Sequence, residues 1–229
     1  MMSRLYLVGI GFKPLEERAR KVVLNSRLIL TSSNRLFEIF KGYAEFEKVK
    51  DKVKVINNVD ATIDYLKSAF RIPHSAIIVL LTSGDPMFSG IGRRAVNEFG
   101  KDALTIFPDL SSIQVAFSRI KETWDDAFLI SLHGGKRKKL KYEINDLPLL
   151  LKEHKKIAIL TDKKNTPSAI AKAILKPSAI SYQLSAIKMF VCERLGYPDE
   201  KITEGIPEEI AGLHFSEPNV VIVLRGMKE

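Results

Sequence analysis

The chain has 229 residues, 45% of them hydrophobic and 28% charged, the make-up of an ordinary globular protein with a core of useful size. Its one cysteine, Cys192, excludes an internal disulfide framework and a thiolate metal cluster, and suits a reducing cytoplasm. The formal net charge of +9 needs an acidic counterpart: a nucleic acid, an anionic small substrate, or nothing more than a solvated lysine-rich surface. No apolar run reaches the roughly 20 residues of a membrane span. The apolar part of MMSRLYLVGIGF is too short for a signal peptide and reads as a first strand.

That strand runs from Arg4 to Ile10 and closes on Gly9-Ile10-Gly11. A dinucleotide fingerprint G-x-G-x-x-G is not completed, because Pro14 stands where the third glycine belongs. A tight turn at the carboxyl end of the strand is the safer reading. Leu15 to Asn25 has helical spacing, with Leu15, Ala19, Val22 and Val23 on one face. Leu28 to Thr31 is a second strand, Arg35 to Phe40 a helix, and Asp60 to Phe70 another amphipathic helix.

Ser75 to Gly92, SAIIVLLTSGDPMFSGIG, organises this half. An apolar run suited to a buried parallel strand breaks at once into Thr82-Ser83-Gly84-Asp85-Pro86. Asp85 therefore falls at the carboxyl edge of that strand, where open α/β sheets keep their ligand crevices. The plainer alternative is that Asp85 caps the helix that follows, Arg93 to Phe99, with Pro86 in its first turn or in the turn before it. Leu104 to Phe107 is the next strand, and Pro108-Asp109-Leu110-Ser111-Ser112 enters a helix running to about Arg119. Ser111 or Ser112 can cap that helix, and its free N–H groups suit an anion. Alternating strands and helices at this spacing imply βαβ units and a doubly wound parallel sheet.

Phe128 to Leu132 is followed by His133-Gly134-Gly135 and the basic run Lys136 to Lys141. The run lacks interleaved aromatics, so a solvated loop competes with a clamp on an acidic ligand. Asp146 to Lys152 is helical, Lys156 to Leu160 a strand, and Thr166 with Pro167 opens a helix from Ala169 to Leu175. Met189 to Glu193 and Asn219 to Leu224 are strands of what reads as a smaller, mixed sheet, with the domain boundary near residues 115 to 125.

Six segments carry a resemblance that periodicity does not: VGIG, LLTSGDPMFSGIG, FPDLSSIQVAFSRI, WDDAFLISLHGG, ILTDKKNTPSAIA and VCERLGYPDEKITEG, in that order from Tyr6 to Leu224. Together they resemble the tetrapyrrole (corrin/porphyrin) methylase family, and within it the cobalamin-pathway branch that methylates carbon 5 of precorrin-7 or cobalt-precorrin-7. The family commonly has proline-glycine after the first G-x-G. Here Phe12-Lys13-Pro14 stands instead, which alters the first loop.

The resemblance implies two α/β domains, residues 1–115 with a mostly parallel sheet and residues 116–229 with a mixed one, a ligand cleft between them, and a homodimer. It implies S-adenosylmethionine as methyl donor, S-adenosylhomocysteine as product, and no metal. Ile10, Asp85, Phe88, Ser111, Ser112, Leu160, Thr161, Glu193 and Asn219 are its expected donor contacts. Precorrins bear many acetate and propionate arms, so the positive charge is expected to serve an acidic tetrapyrrole rather than nucleic acid or membrane. Arg35, Arg93 and Arg94 are the expected clamps, with Lys13, Lys136, Arg137 and His133 beside them. The proton acceptor is left open among His133, Asp85 and Asp109. A chain of this length has room for the carbon-5 activity, which leaves the decarboxylating carbon-15 methylation to a separate protein. A relative acting on diphthamide or ribosomal RNA would keep SGDP without SLHGG and LTD-x-x-x-TP. A nucleic-acid-binding protein would explain the charge without catalysis.

Overall fold

A computed structural model describes residues 4–70, 76–133, 141–176 and 187–226. The chain divides into two compact units, Met1–Ser111 and Ser112–Glu229.

The first unit is built on β1 (Arg4–Ile10), α1 (Glu17–Leu24), β2 (Leu28–Thr31), α2 (Asn34–Lys41), α3 (Phe46–Val49), β3 (Val53–Val55), α4 (Val59–Phe70), β4 (Ile77–Ser83), α5 (Gly92–Phe99) and β5 (Leu104–Phe107). Its five strands lie in the order β3-β2-β4-β1-β5, and every pairing is parallel. A parallel sheet is covered on both faces, so its strands alternate between two apolar layers. Val8, Ile10, Val79 and Leu81 pack with Ala19, Val23, Leu36 and Phe40 on one face. Leu5, Leu7, Ile78 and Leu80 pack with Ile63, Leu66 and Ala95 on the other. Helix α1 starts at Glu17, later than the periodicity suggests, because Glu16 before it is still extended; Leu15 and Val22 pack on the first layer all the same.

The second unit comprises α6 (Ser112–Ile120), β6 (Phe128–Ser131), α7 (Leu147–Glu153), β7 (Lys156–Leu160), α8 (Pro167–Ile174), β8 (Ile187–Glu193), β9 (Lys201–Gly205), α9 (Pro207–Ile210) and β10 (Asn219–Arg225). Its sheet, β6-β7-β10-β8-β9, is mixed as expected, parallel between β6 and β7 and antiparallel elsewhere. It is not the smaller of the two. Among the described residues both sheets have five strands, because β9 adds an edge that the sequence pattern hides. Thr166 caps α8 by accepting the Ala169 N–H at 3.2 Å, and Pro167 supplies the first helical position. Lys156, 5% exposed, reaches Asp126 at 2.9 Å and the Thr123 carbonyl at 2.7 Å, tying the segment after α6 to the start of β7. Among the described residues no helix is long and apolar enough to cross a membrane.

Candidate functional site

Parallel strands put all their following loops at one edge, and in the first unit three of those loops are knitted together. The Gly84 N–H donates to the Ile10 carbonyl at 3.0 Å, and the Asp109 N–H donates to the Gly84 carbonyl at 3.4 Å. Side chains would not permit this approach. A Cβ on Gly9 would stand 2.0 Å from the Gly84 oxygen and 2.5 Å from the Asp109 nitrogen. Gly84 itself has φ 59°, a left-handed conformation that favours glycine. These glycines sit at the ends of β1 and β4, adjacent strands whose chains leave toward opposite faces of the sheet, the place where such sheets hold ligands.

Asp85 is half-buried, and its Oδ1 accepts the Met87 N–H at 2.8 Å. The residue does not cap α5. That helix begins at Gly92 behind Ile91, with no side-chain cap, so Pro86 belongs to the intervening turn. Gly92 packs against it, its N–H donating to the Pro86 carbonyl at 2.9 Å. Phe88 is half-buried in the same turn. Ile10 contributes its carbonyl to Gly84 and buries its side chain completely. Ser111, 8% exposed, occupies the position before α6, and Ser112 begins the helix.

The basic residues separate into different roles. Lys13 follows β1, Arg35 lies in the first turn of α2 after β2, and Arg93 lies in the first turn of α5 after β4. Topology therefore gives all three to the carboxyl edge of the parallel sheet, and all three are exposed. Arg94 is not a free clamp, since its guanidinium pairs with Asp60 at the start of α4. Lys136 and Arg137 lie outside the described residues.

In the second unit, Thr161, Glu193 and Asn219 converge at one end of the mixed sheet. Asn219 is the register partner of Glu193, and Val220 that of Leu160, which is half-buried at the end of β7. The Thr161 hydroxyl lies 2.8 Å from the Asn219 carbonyl and 2.7 Å from its side-chain oxygen. Asn219 Nδ2 donates to the Ser216 carbonyl at 3.0 Å, while Glu193 Oε1 accepts the Ser216 N–H at 2.6 Å. Glu193 is 4% exposed, and its Oε2 is buried without a hydrogen-bond partner among the described residues. His133 Nδ1 lies 3.2 Å from the Thr161 carbonyl, an orienting contact that sequence spacing could not reveal. Asn165 Nδ2 donates to the Leu132 carbonyl at 3.0 Å, so the SLH and LTD-x-x-x-TP segments are fastened to each other.

The E-x-LG-x-P-x-E segment is a structural hairpin. Glu200 accepts the Gly196 N–H at 2.7 Å and pairs with Arg119 at 2.5 Å. Burial would raise the Glu200 carboxyl, but the Arg119 guanidinium and the Gly196 N–H outweigh it and hold the group below its ordinary value. Cys192 is buried in β8, the strand that leads into this hairpin, and burial, with a smaller contribution from the Glu200 charge, pushes its thiol up to about 12.

Residues 4–211 match the family model for the tetrapyrrole (corrin/porphyrin) methylases. The chain belongs to this family. It is an S-adenosylmethionine-dependent methyltransferase. A probable cobalt-precorrin-7 C(5)-methyltransferase of Methanocaldococcus jannaschii is 30% identical over 224 residues, 95% of this chain and 96% of the relative. The fold is similar to that of a precorrin-6Y methylase of cobalamin biosynthesis from Archaeoglobus fulgidus, with TM-score 0.66, 20% identity, and 98% and 99% of the two chains covered. It is also similar to a uroporphyrin-III C-methyl transferase from Thermus thermophilus complexed with S-adenyl homocysteine, with TM-score 0.64, 17% identity, and 96% and 92% covered.

Proposed function

We propose that this protein transfers the methyl group of S-adenosylmethionine to carbon 5 of precorrin-7, or of its cobalt form, in cobalamin biosynthesis. The observation that carries the reading is the knot of strand ends at Gly9, Gly84 and Asp109, at the sheet edge where exposed Lys13, Arg35 and Arg93 follow the neighbouring strands β1, β2 and β4. The likeness to the M. jannaschii relative along nearly both full lengths supports the ring position.

The residues present fit the donor's chemistry. A Cβ on Gly11 would meet nothing within 4 Å, so the first loop opens on space. The Asp85 carboxylate suits a cationic group, and the first-turn N–H groups of α6 behind Ser111 and Ser112 suit a carboxylate. In the second unit Leu160 stands beside the polar groups of Thr161, Glu193 and Asn219 at one end of the sheet. When bound, the donor supplies a methyl made electrophilic by its sulfonium. Transfer would exchange the sulfur–methyl bond for a bond to the ring carbon, which would give up a proton. The protein's part is to orient the ring against the methyl and to exclude water. Lys13, Arg35 and Arg93 would hold acetate and propionate arms from the rim, arginine in bidentate pairs. His133, whose Nδ1 lies 3.2 Å from the Thr161 carbonyl, Asp85 and Asp109 are the candidates to take the proton.

The test is incubation of the purified protein with S-adenosylmethionine and precorrin-7, read by mass and by carbon NMR of the labelled methyl. One methyl at carbon 5 is expected. Methylation at another ring position would move the assignment to a different member of the family. Retention on RNA that falls steeply with salt, without turnover of the tetrapyrrole, would favour a nucleic-acid role instead.

A further inference from the structure

The loop that leaves β1 is held from two sides by side chains distant in sequence. Asp109 is 7% exposed, and its carboxylate is filled with backbone donors. Its Oδ2 accepts the Phe12 N–H at 2.7 Å and the Lys13 N–H at 3.2 Å, while its Oδ1 accepts the Leu110 N–H at 2.7 Å. From the other side the Tyr43 hydroxyl accepts the Gly11 N–H at 2.7 Å and donates to the Lys13 carbonyl at 2.9 Å. Burial raises the Tyr43 phenol; the Gly11 N–H partly offsets this, and the nearby Asp109 and Glu45 carboxylates push it further up, so the hydroxyl remains a donor at neutral pH. Packing does not hold the loop at its start, since Gly11 has φ 135° and open space beside it.

We propose that Asp109 and Tyr43 are positioning residues for the methyl donor: together they fix the backbone of Gly11, Phe12 and Lys13 in the shape that receives it. The inference rests on the reading of this edge as the donor site. It also assigns Asp109 away from proton transfer, because both of its oxygens are engaged by backbone N–H groups. Asp109 is matched to a loop that has an N–H at position 12. A proline there would leave part of a nearly buried carboxylate without a donor, a costly arrangement. Asp109 and Phe12 are therefore coupled, and neither should be exchangeable alone.

The experiment is calorimetric titration of the full chain with S-adenosylhomocysteine, with thermal unfolding recorded on the same samples. Tyr43→Phe and Asp109→Ala are each expected to weaken binding roughly tenfold or more, the effect of losing hydrogen bonds to a polar or charged anchor. Phe12→Pro should weaken the native protein to a similar degree, yet add less than about twofold in the Asp109→Ala background. A residue with only a structural role would lower the unfolding temperature and leave the affinity of the folded protein unchanged. That result for Tyr43→Phe, which removes one oxygen, would overturn the proposal even if Asp109→Ala failed to fold. So would full additivity of Phe12→Pro and Asp109→Ala. Failure of the unmodified protein to bind the probe would instead overturn the donor site itself.

Discussion

The two units end their sheets in opposite ways. At the edge of the parallel sheet, strand ends meet backbone to backbone, and Gly9 and Gly84 matter for the side chains they lack. At the end of the mixed sheet, the Thr161, Asn219 and Glu193 side chains do the joining, Thr161 to Asn219 and the other two to the backbone of Ser216. The first arrangement tolerates no added atom. The second is a set of individually modest bonds, each replaceable at modest cost. Substitutions in the first unit should therefore act as steric failures, and those in the second as graded losses.

The strongest way to break this contrast is Gly9→Ala. Its methyl would meet backbone atoms of two other strand ends, neither of which can step aside as a flexible side chain would. We expect a loss of about 3 kcal/mol of stability by denaturant unfolding, together with loss of S-adenosylhomocysteine binding. A neutral alanine would show that the strand ends are less tightly joined. Thr161→Val is the counterpart in the second unit. It removes one hydroxyl from Asn219 and should cost about 1 kcal/mol, with the fold retained.

Acid sharpens the comparison further. The Lys156 ammonium and the Arg194 guanidinium, by hydrogen bonding, hold the Asp126 and Asp199 carboxyls below their ordinary value of 3.8, and Glu200 is held below 4.5 against the effect of burial. Folded values below unfolded ones mean stability that is present above the ordinary carboxylate range and lost as pH falls through the lowered values. Unfolding of the second unit, followed by the exchange of β8 and β9 amides, should thus ease as pH drops below about 4. Arg119→Ala should remove Glu200's share of that dependence, leaving the protein less stable at neutral pH and its further loss in acid shallower. The smallest effect concerns Cys192, whose thiol is fully buried and pushed up to about 12. It should resist alkylation at neutral pH in the folded protein and react once the second unit opens; rapid labelling of the native state would contradict its burial.

Most of the scaffold was legible in the sequence because buried parallel strands are continuous apolar runs, as in Ile77 to Leu81 and Lys156 to Leu160. The two strands that the pattern hides, Val53–Val55 and Lys201–Gly205, are edges of their sheets. Edge strands are short or carry charge, so their apolar signal is weak. In the site, Asp85 stood out because it follows a buried strand directly. Tyr43 did not, since its partners Gly11 and Lys13 lie far away in sequence and nothing in the α2–α3 loop marks it. Arg94 looked like Arg93 in sequence, and only the proximity of α4 to α5 gives it Asp60 as a partner.

The central claim is that the carboxyl edge of the parallel sheet receives the methyl donor. Hydrogen exchange of the full chain with and without S-adenosylhomocysteine tests it most directly. The account predicts added protection of the amides of Gly11 to Lys13, Gly84 to Gly92 and Leu110 to Ile113, and loss of that protection in Asp85→Ala. Saturating ligand that leaves all three segments exchanging as before would contradict it.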